Sequence, residues 1–369
     1  MLRSEKRLKL TRIVAGLHVV DAQDIADADL MSVAYHEGMN GILWQKIISS
    51  ERVEAEYSAV LSEQVHALQL RYLRMQHTCA SVLSSLNHAD IIAMLMRGIS
   101  LTESLYGKQS ALRPISDMDL LIDVRQMSDA KQVLWDIGFR PDRKYSHIYY
   151  RGDISIDLHH EPLGIERITM WKYLTPLRMD DFVKYAQEGV LAGEPALLLQ
   201  PRINLPYLCF HALKHSFERL VWLYDIALLA NRVAEDDQWD TVLDGIHEYR
   251  LERPCFYALA YVKAHLDASV PADILEKIKP DMGVVERSLF RRHMNHEVIP
   301  FLAERLFARM MPDFKHRMAF WRETIYPRYE VRAQMVESGC VKCNFIRKRI
   351  KQLTKAAWLF ARESIAILR

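Results

Sequence analysis

Apolar positions in the first ninety residues recur at helical spacing. Leu61, Val65, Leu68, Tyr72, Met75 and Cys79 alternate steps of four and three, which places all six on one face of a single long amphipathic helix. Asn87 breaks the pattern. The apolar run 91–96 ends at Gly98 and has the length of a buried strand, and residues 100–106 then predict a short helix stopped by Gly107. Period-two alternation follows in three pieces, at residues 117–124, 145–150 and 154–159, and it outweighs helical spacing nowhere else. Between the first two pieces a helix is expected from Ser128, as N-cap, to Gly138. The last two flank Arg151, Gly152 and Asp153, which reads as a β-hairpin. From about Leu205 helical periodicity returns, punctuated by Pro254, Pro271, Pro280, Pro300, Pro312 and Pro327. The pattern predicts an α+β chain, with its strands gathered in one stretch and a mostly helical remainder. Four regions are expected: an N-terminal helical region (1–88), a sheet-bearing core (89–200), a helical domain (201–330) and a basic C-terminal helix (331–369).

Composition adds limits. In 369 residues, 49 Lys and Arg stand against 47 Asp and Glu, so the overall charge gives no argument for a polyanionic partner. From Lys342 to Arg369, however, eight basic residues face one acid, Glu363, a net +7 that leaves −5 on the rest. Ile346, Ile350, Leu353, Ala357 and Phe360 share a helical stripe within that segment. It is expected to be a final helix docked on the core, with peripheral membrane or nucleic-acid attachment the alternatives. Nucleic acid is not the favoured partner. No stretch approaches 18 consecutive apolar residues, so no membrane-spanning helix is expected. The N-terminus lacks the layout of a secretory signal. Five cysteines, an odd number in a large chain, point to a reducing, cytoplasmic setting. Cys340 and Cys343 form a lone C-x-x-C, which lacks the second pair that a zinc site needs.

The candidate chemistry lies in the alternating strands. Strand geometry sends Met118, Leu120 and Ile122 to one face and Asp117 and Asp119 to the other, with Cα atoms about 6.6 Å apart. Two carboxylates this close repel each other unless a cation lies between them. In the hairpin, Ile154, Ile156 and Leu158 alternate with Ser155, Asp157 and His159, which puts a third carboxylate on a polar strand face. Together the three could hold Mg²⁺; the plainer alternative is a turn residue beside a half-exposed strand. Gly98, followed by Ser100 and Thr102, suits the approach of a polyphosphate to backbone N–H groups.

These stretches resemble the uncharacterised nucleotidyltransferase family of the DNA polymerase beta-like superfamily. The matching residues are Arg97-Gly98-Ile99-Ser100-Leu101 with Leu105-Tyr106, Leu112 to Ile122, Ile156-Asp157-Leu158-His159, and a later stretch from His211 to Leu229. The resemblance implies a small mixed β-sheet flanked by helices with helical extensions, Asp117 and Asp119 as metal-binding acids, Asp157 as the third acid that helps activate the acceptor, and Gly98 with Ser100 as the triphosphate contact. Where the superfamily has Gly or Ser after the glycine and Lys before it, this chain has Ile99 and Arg97. Arg97 keeps the positive charge and Arg113 adds another near the acids. The implied reaction moves a nucleoside monophosphate from an NTP, ATP among the candidates, to an acceptor hydroxyl, releasing pyrophosphate with a two-ion Mg²⁺ site. A small molecule, a glycan or a protein would each serve as acceptor. The rival is a non-catalytic binding or scaffold protein of the same fold.

His211, His215, Glu218, Trp222 and Asp225 recur at steps of four and three and predict a polar stripe on one helix. The stripe faces the nucleotide pocket, His215 included, or forms a buried hydrogen-bond network; a His211–His215 metal pair lacks a third local ligand. His159 and His160 are expected either to line the site or to lie on the surface at the hairpin end.

Overall fold

The computed structural model describes residues 2–50, 55–164, 168–334 and Thr354. The Cys340–Cys343 motif and, Thr354 apart, the C-terminal segment beyond residue 334 lie outside the described residues.

Seven strands form one mixed sheet: β1 (Ala93–Leu95), β2 (Asp117–Ile122), β3 (Arg140–Pro141), β4 (Ile148–Arg151), β5 (Ile154–His159), β6 (Ala186–Leu191) and β7 (Glu194–Leu199), in the order β3-β4-β5-β2-β1-β7-β6. β1 runs antiparallel to β2 and parallel to β7, while β2 and β5 pair in parallel. The alternation expected for β2 and β5 divides the sheet between two cores. Met118, Leu120, Ile122, Ile154, Ile156 and Leu158 join the first, against the helix Ala55–His88. That helix has 34 residues and is about 51 Å long. Its predicted stripe is buried at Leu61, Val65, Tyr72, Met75 and Cys79, and Leu68 is half-buried. Burying each such side chain contributes about 1.5–3 kcal/mol. On the opposite sheet face Met94 and Leu121 belong to the second core, shared with the C-terminal helices.

Three expectations differ from the structure. The β6–β7 hairpin was not foreseen. Its turn uses Ala192 and Gly193 at φ +53° and +83°, and β7 reads Pro-Ala-Leu-Leu-Leu without alternation, with Ala196 packed against the first core and Leu197 and Leu199 against the second. Ser128 is not an N-cap but lies inside the helix Met127–Asp136. A preceding 3₁₀ turn is capped by Asp123, which accepts from the Arg125 N–H. The stripe from His211 to Asp225 is not on one helix. The helix Pro201–Lys214 ends, Ser216 and Phe217 both take φ +53°, and a second helix runs Leu220–Glu235. No Gly or Pro marks this break. Tertiary burial enforces it: Phe217 is buried, its ring lies 4.6 Å from that of His293, and its carbonyl accepts from Arg7 Nη2 at 2.6 Å.

The N-terminal helices close on the same turn. Glu37, fully buried, pairs with Arg7 at 3.3 Å and accepts from the Leu220 N–H at 2.8 Å. Deeper in the helical part, Pro206 removes the N–H that would have bonded the Arg202 carbonyl. Gly245 approaches that carbonyl so closely that a Cβ would lie 2.1 Å from it. Among the described residues, no helix is long and apolar enough to cross a membrane.

Candidate active site

The β2–β5 register sets Asp119 directly opposite Asp157 and Asp117 opposite Ser155. Asp117, Asp119, Asp157 and His159 thus share one sheet face, at the floor of a cleft of about 850 Å³. The helices ending and beginning near His215 and Trp222 form part of the facing wall.

Asp119 is the most buried of the acids and the most engaged. Arg97 grips it with two nitrogens, Nε to Oδ2 at 3.1 Å and Nη2 to Oδ1. His159 Nε2 lies 3.1 Å from Asp119 Oδ1 and 3.2 Å from Asp157 Oδ2. Burial opposes ionisation of Asp119, but Arg97 and His159 outweigh it and hold the carboxyl well below the usual range. Burial alone would push His159 down; its bonds to Asp119 and Asp157 lift it to about 9, so it is an imidazolium at neutral pH. Asp117 moves the other way, raised by burial and by the like charge of Asp119 despite the Ser116 hydroxyl 2.7 Å away.

Asp119, Asp157 and His159 each offer one ligand atom within 4.8 Å of the others; Asp117 lies outside that group. Asp157 Oδ1 is buried without a hydrogen-bond partner. Two close carboxylates with one orphaned oxygen, and Asp117 beside them on the same sheet face, fit a hard divalent ion, and the imidazolium and guanidinium now balance the same charge.

The expected phosphate contacts are placed unevenly. Gly98 lines the cleft at φ +60°, ψ −110°, a conformation only glycine adopts readily. Ser100 is not among the lining residues, and its hydroxyl donates to the Arg97 carbonyl at 3.2 Å. Arg97 is committed to Asp119 and also donates from Nη1 to His211 Nδ1. Burial first, then Arg97, keeps His211 neutral by driving its pKa well down. Arg113 clasps Asp225 through two nitrogens at 2.8 and 2.6 Å, and Tyr106 donates to the same carboxylate at 2.6 Å. Asp225 therefore belongs to a buried network, whereas His211, His215 and Trp222 form a ring cluster on the cleft wall, with centroids 4.8–5.3 Å apart. His211, His215, Trp222 and Asp225 all line the cleft, Asp225 from within its buried network; Glu218 is exposed and outside the cleft. His159 and His160 both line it.

A family model described as Uncharacterised nucleotidyltransferase matches residues 23–267. The chain belongs to this family. No curated protein and no solved structure matches it. The family match spans the whole sheet, the acid cluster and both helices of the cleft wall, and nucleotidyl transfer is the reaction class that the family name carries. Family membership also covers two cleft residues absent from the sequence argument. His147 lies 3.9 Å from Asp157, and Arg219 lines the wall beside Trp222. Arg219 falls off the stripe of a continuous helix and comes into view only with the break at residues 216–217.

Proposed function

We propose that the protein is a Mg²⁺-dependent nucleotidyltransferase that moves a nucleoside monophosphate from an NTP to an acceptor hydroxyl with release of pyrophosphate. The observation that carries this is the parallel register that sets Asp119 against Asp157, two residues beyond Asp117, on the floor of a cleft large enough for a nucleotide. Asp117, Asp119 and Asp157 would hold the ion, which when bound neutralises phosphate charge and aligns attacking and leaving oxygens. Arg97 fixes the orientation of Asp119 from behind. His159 keeps a proton on Nε2 between Asp119 and Asp157, which limits their repulsion before substrate arrives. Asp157, with an oxygen free of other bonds, takes the proton of the acceptor hydroxyl. The ring cluster of His211, His215 and Trp222 gives the base an aromatic wall.

Asp117→Asn and Asp157→Asn should each lower NTP-dependent transfer roughly 1,000-fold or more, since ion-borne stabilisation is worth several kcal/mol. Pyrophosphate release from labelled NTP is the assay. Full activity in Asp117→Asn would sink the assignment. A second reading, a binding protein without catalysis, rests on Arg97 and His159 already neutralising Asp119. It predicts nucleotide binding by calorimetry that is indifferent to Mg²⁺.

A further inference from the structure

Arg219 is half-buried in the cleft wall, and among the interactions of the described residues it makes no hydrogen bond and no ion pair. Its Nε is buried without a partner, and its one ring contact is with Trp222, 5.7 Å from the centroid. The acids around it are committed elsewhere. Glu37 serves Arg3, Arg7 and the Leu220 N–H; Asp225 serves Arg113 and Tyr106; Asp117 accepts from Ser116. Gly38 makes room for the guanidinium, since a Cβ there would meet Arg219 Nη2 at 2.7 Å. Burial and the neighbouring Arg113 both disfavour its charge. A guanidinium held this way, facing a cleft that contains the acid cluster, lacks only an anion.

We infer that Arg219 is the seat of the donor's polyphosphate tail, in place of Arg97 and Arg113, whose forks are already filled. The inference rests on the nucleotidyltransferase reading for the identity of the donor. Arg219 is then a binding residue whose charge is uncompensated until substrate enters. Gly98 supplies backbone on the floor, and Arg219 supplies the planar fork on the wall.

The test is calorimetry on the full chain with Mg²⁺, titrating ATP, inorganic tripolyphosphate and adenosine into the native protein, Arg219→Gln and Arg219→Lys. The expected result is a roughly 10- to 100-fold loss of affinity for ATP and tripolyphosphate in Arg219→Gln, a smaller loss in Arg219→Lys, and no change for adenosine. Arg219→Gln should unfold at the same or a higher temperature, because it removes an unpaired charge; a residue with a purely structural role would lower it. Native-like anion affinity in Arg219→Gln overturns the inference and leaves the transferase reading standing. Tripolyphosphate binding that depends on Arg219, with ATP binding indifferent to Mg²⁺ and to Asp117→Asn, upholds the anion seat and overturns the transferase reading. A native chain that binds neither anion overturns both. If Arg219→Gln does not fold, the thermal shift produced by tripolyphosphate must shrink in Arg219→Lys, and an undiminished shift overturns the inference.

Discussion

Asp119 owes its ionisation to two cations, and the stronger attachment is the fork of Arg97. Removing that fork leaves a buried carboxylate facing Asp157 and Asp117 with His159 as its one paired cation among the described residues. Breaking a buried pair from one side typically costs about 3–5 kcal/mol. Arg97→Ala should therefore unfold well below the native protein in thermal melts without metal, and millimolar Mg²⁺ should recover part of the loss by replacing the missing charge. A melt of Arg97→Ala that ignores Mg²⁺ would place the ion away from Asp119. The carboxylates were legible in the sequence because alternation fixes which strand face a side chain takes. The partners of Arg97 and Arg113 were not, since Arg97 meets Asp119 and His211 at separations of 22 and 114 residues and Arg113 meets Asp225 at 112. Local spacing carries no record of such pairings.

At the level of elements, legibility followed the strength of the local signal. β5 alternates cleanly because one face is core and the other cleft, and β2 does so as far as Asp119, beyond which Leu121 enters the second core. β7 does not alternate, because apolar residues cover both of its faces, Ala196 against the first core and Leu197 and Leu199 against the second. The helix pair around residue 216 defeats periodicity for a different reason. Its break is driven by the burial of Phe217, by the Arg7 guanidinium donating to the Phe217 carbonyl, and by the Ala212 and Leu213 carbonyls accepting from the Phe217 and Ser216 N–H groups, with no punctuating Gly or Pro. Elsewhere glycine does mark an obligatory contact. In Gly245→Ala the new methyl would collide with the Arg202 carbonyl, so the helices Pro201–Lys214 and Trp239–Glu248 must separate. Overpacking of this kind costs about 1–3 kcal/mol, to be read as a lower urea midpoint at unchanged slope. An unchanged midpoint would mean that the crossing is looser than the structure indicates.

For the molecule as a whole, histidines remote from the cleft should add to the pH sensitivity on the acid side. His293 and His296 are buried, with His293 Nε2 3.2 Å from the Tyr257 carbonyl and His296 Nδ1 2.7 Å from the Tyr261 hydroxyl. Burial first, then nearby Arg7 and neighbouring histidines, pushes both down to about 3. Their folded pKa lies below the unfolded value of about 6.5, so the unfolded chain binds more protons in that window. The loss of stability from these two rings is absent above about pH 6.5 and grows as the pH drops toward 3, while the share that His159 contributes is lost only as the pH rises toward 9. The urea midpoint should thus decline between pH 6.5 and 5, above the carboxylate range, and His296→Gln should flatten the decline. A midpoint independent of pH across that interval would mean that these rings are hydrated. The bonds from Arg7 to Phe217 and from Leu220 to Glu37 also have a consequence during biosynthesis. The first helices leave the ribosome roughly 10–40 s before their partners near residue 217, at usual elongation rates. In that interval Glu37 has Arg3 and Arg7 but not the Leu220 N–H, and Arg7 lacks the Phe217 carbonyl. The turn that presents Arg219 and Trp222 cannot lock until its partners arrive, so the cleft wall matures late. Nascent chains stalled before residue 220 should be sensitive to protease in the N-terminal helices and bind holdase chaperones, and chains stalled well past it should resist both.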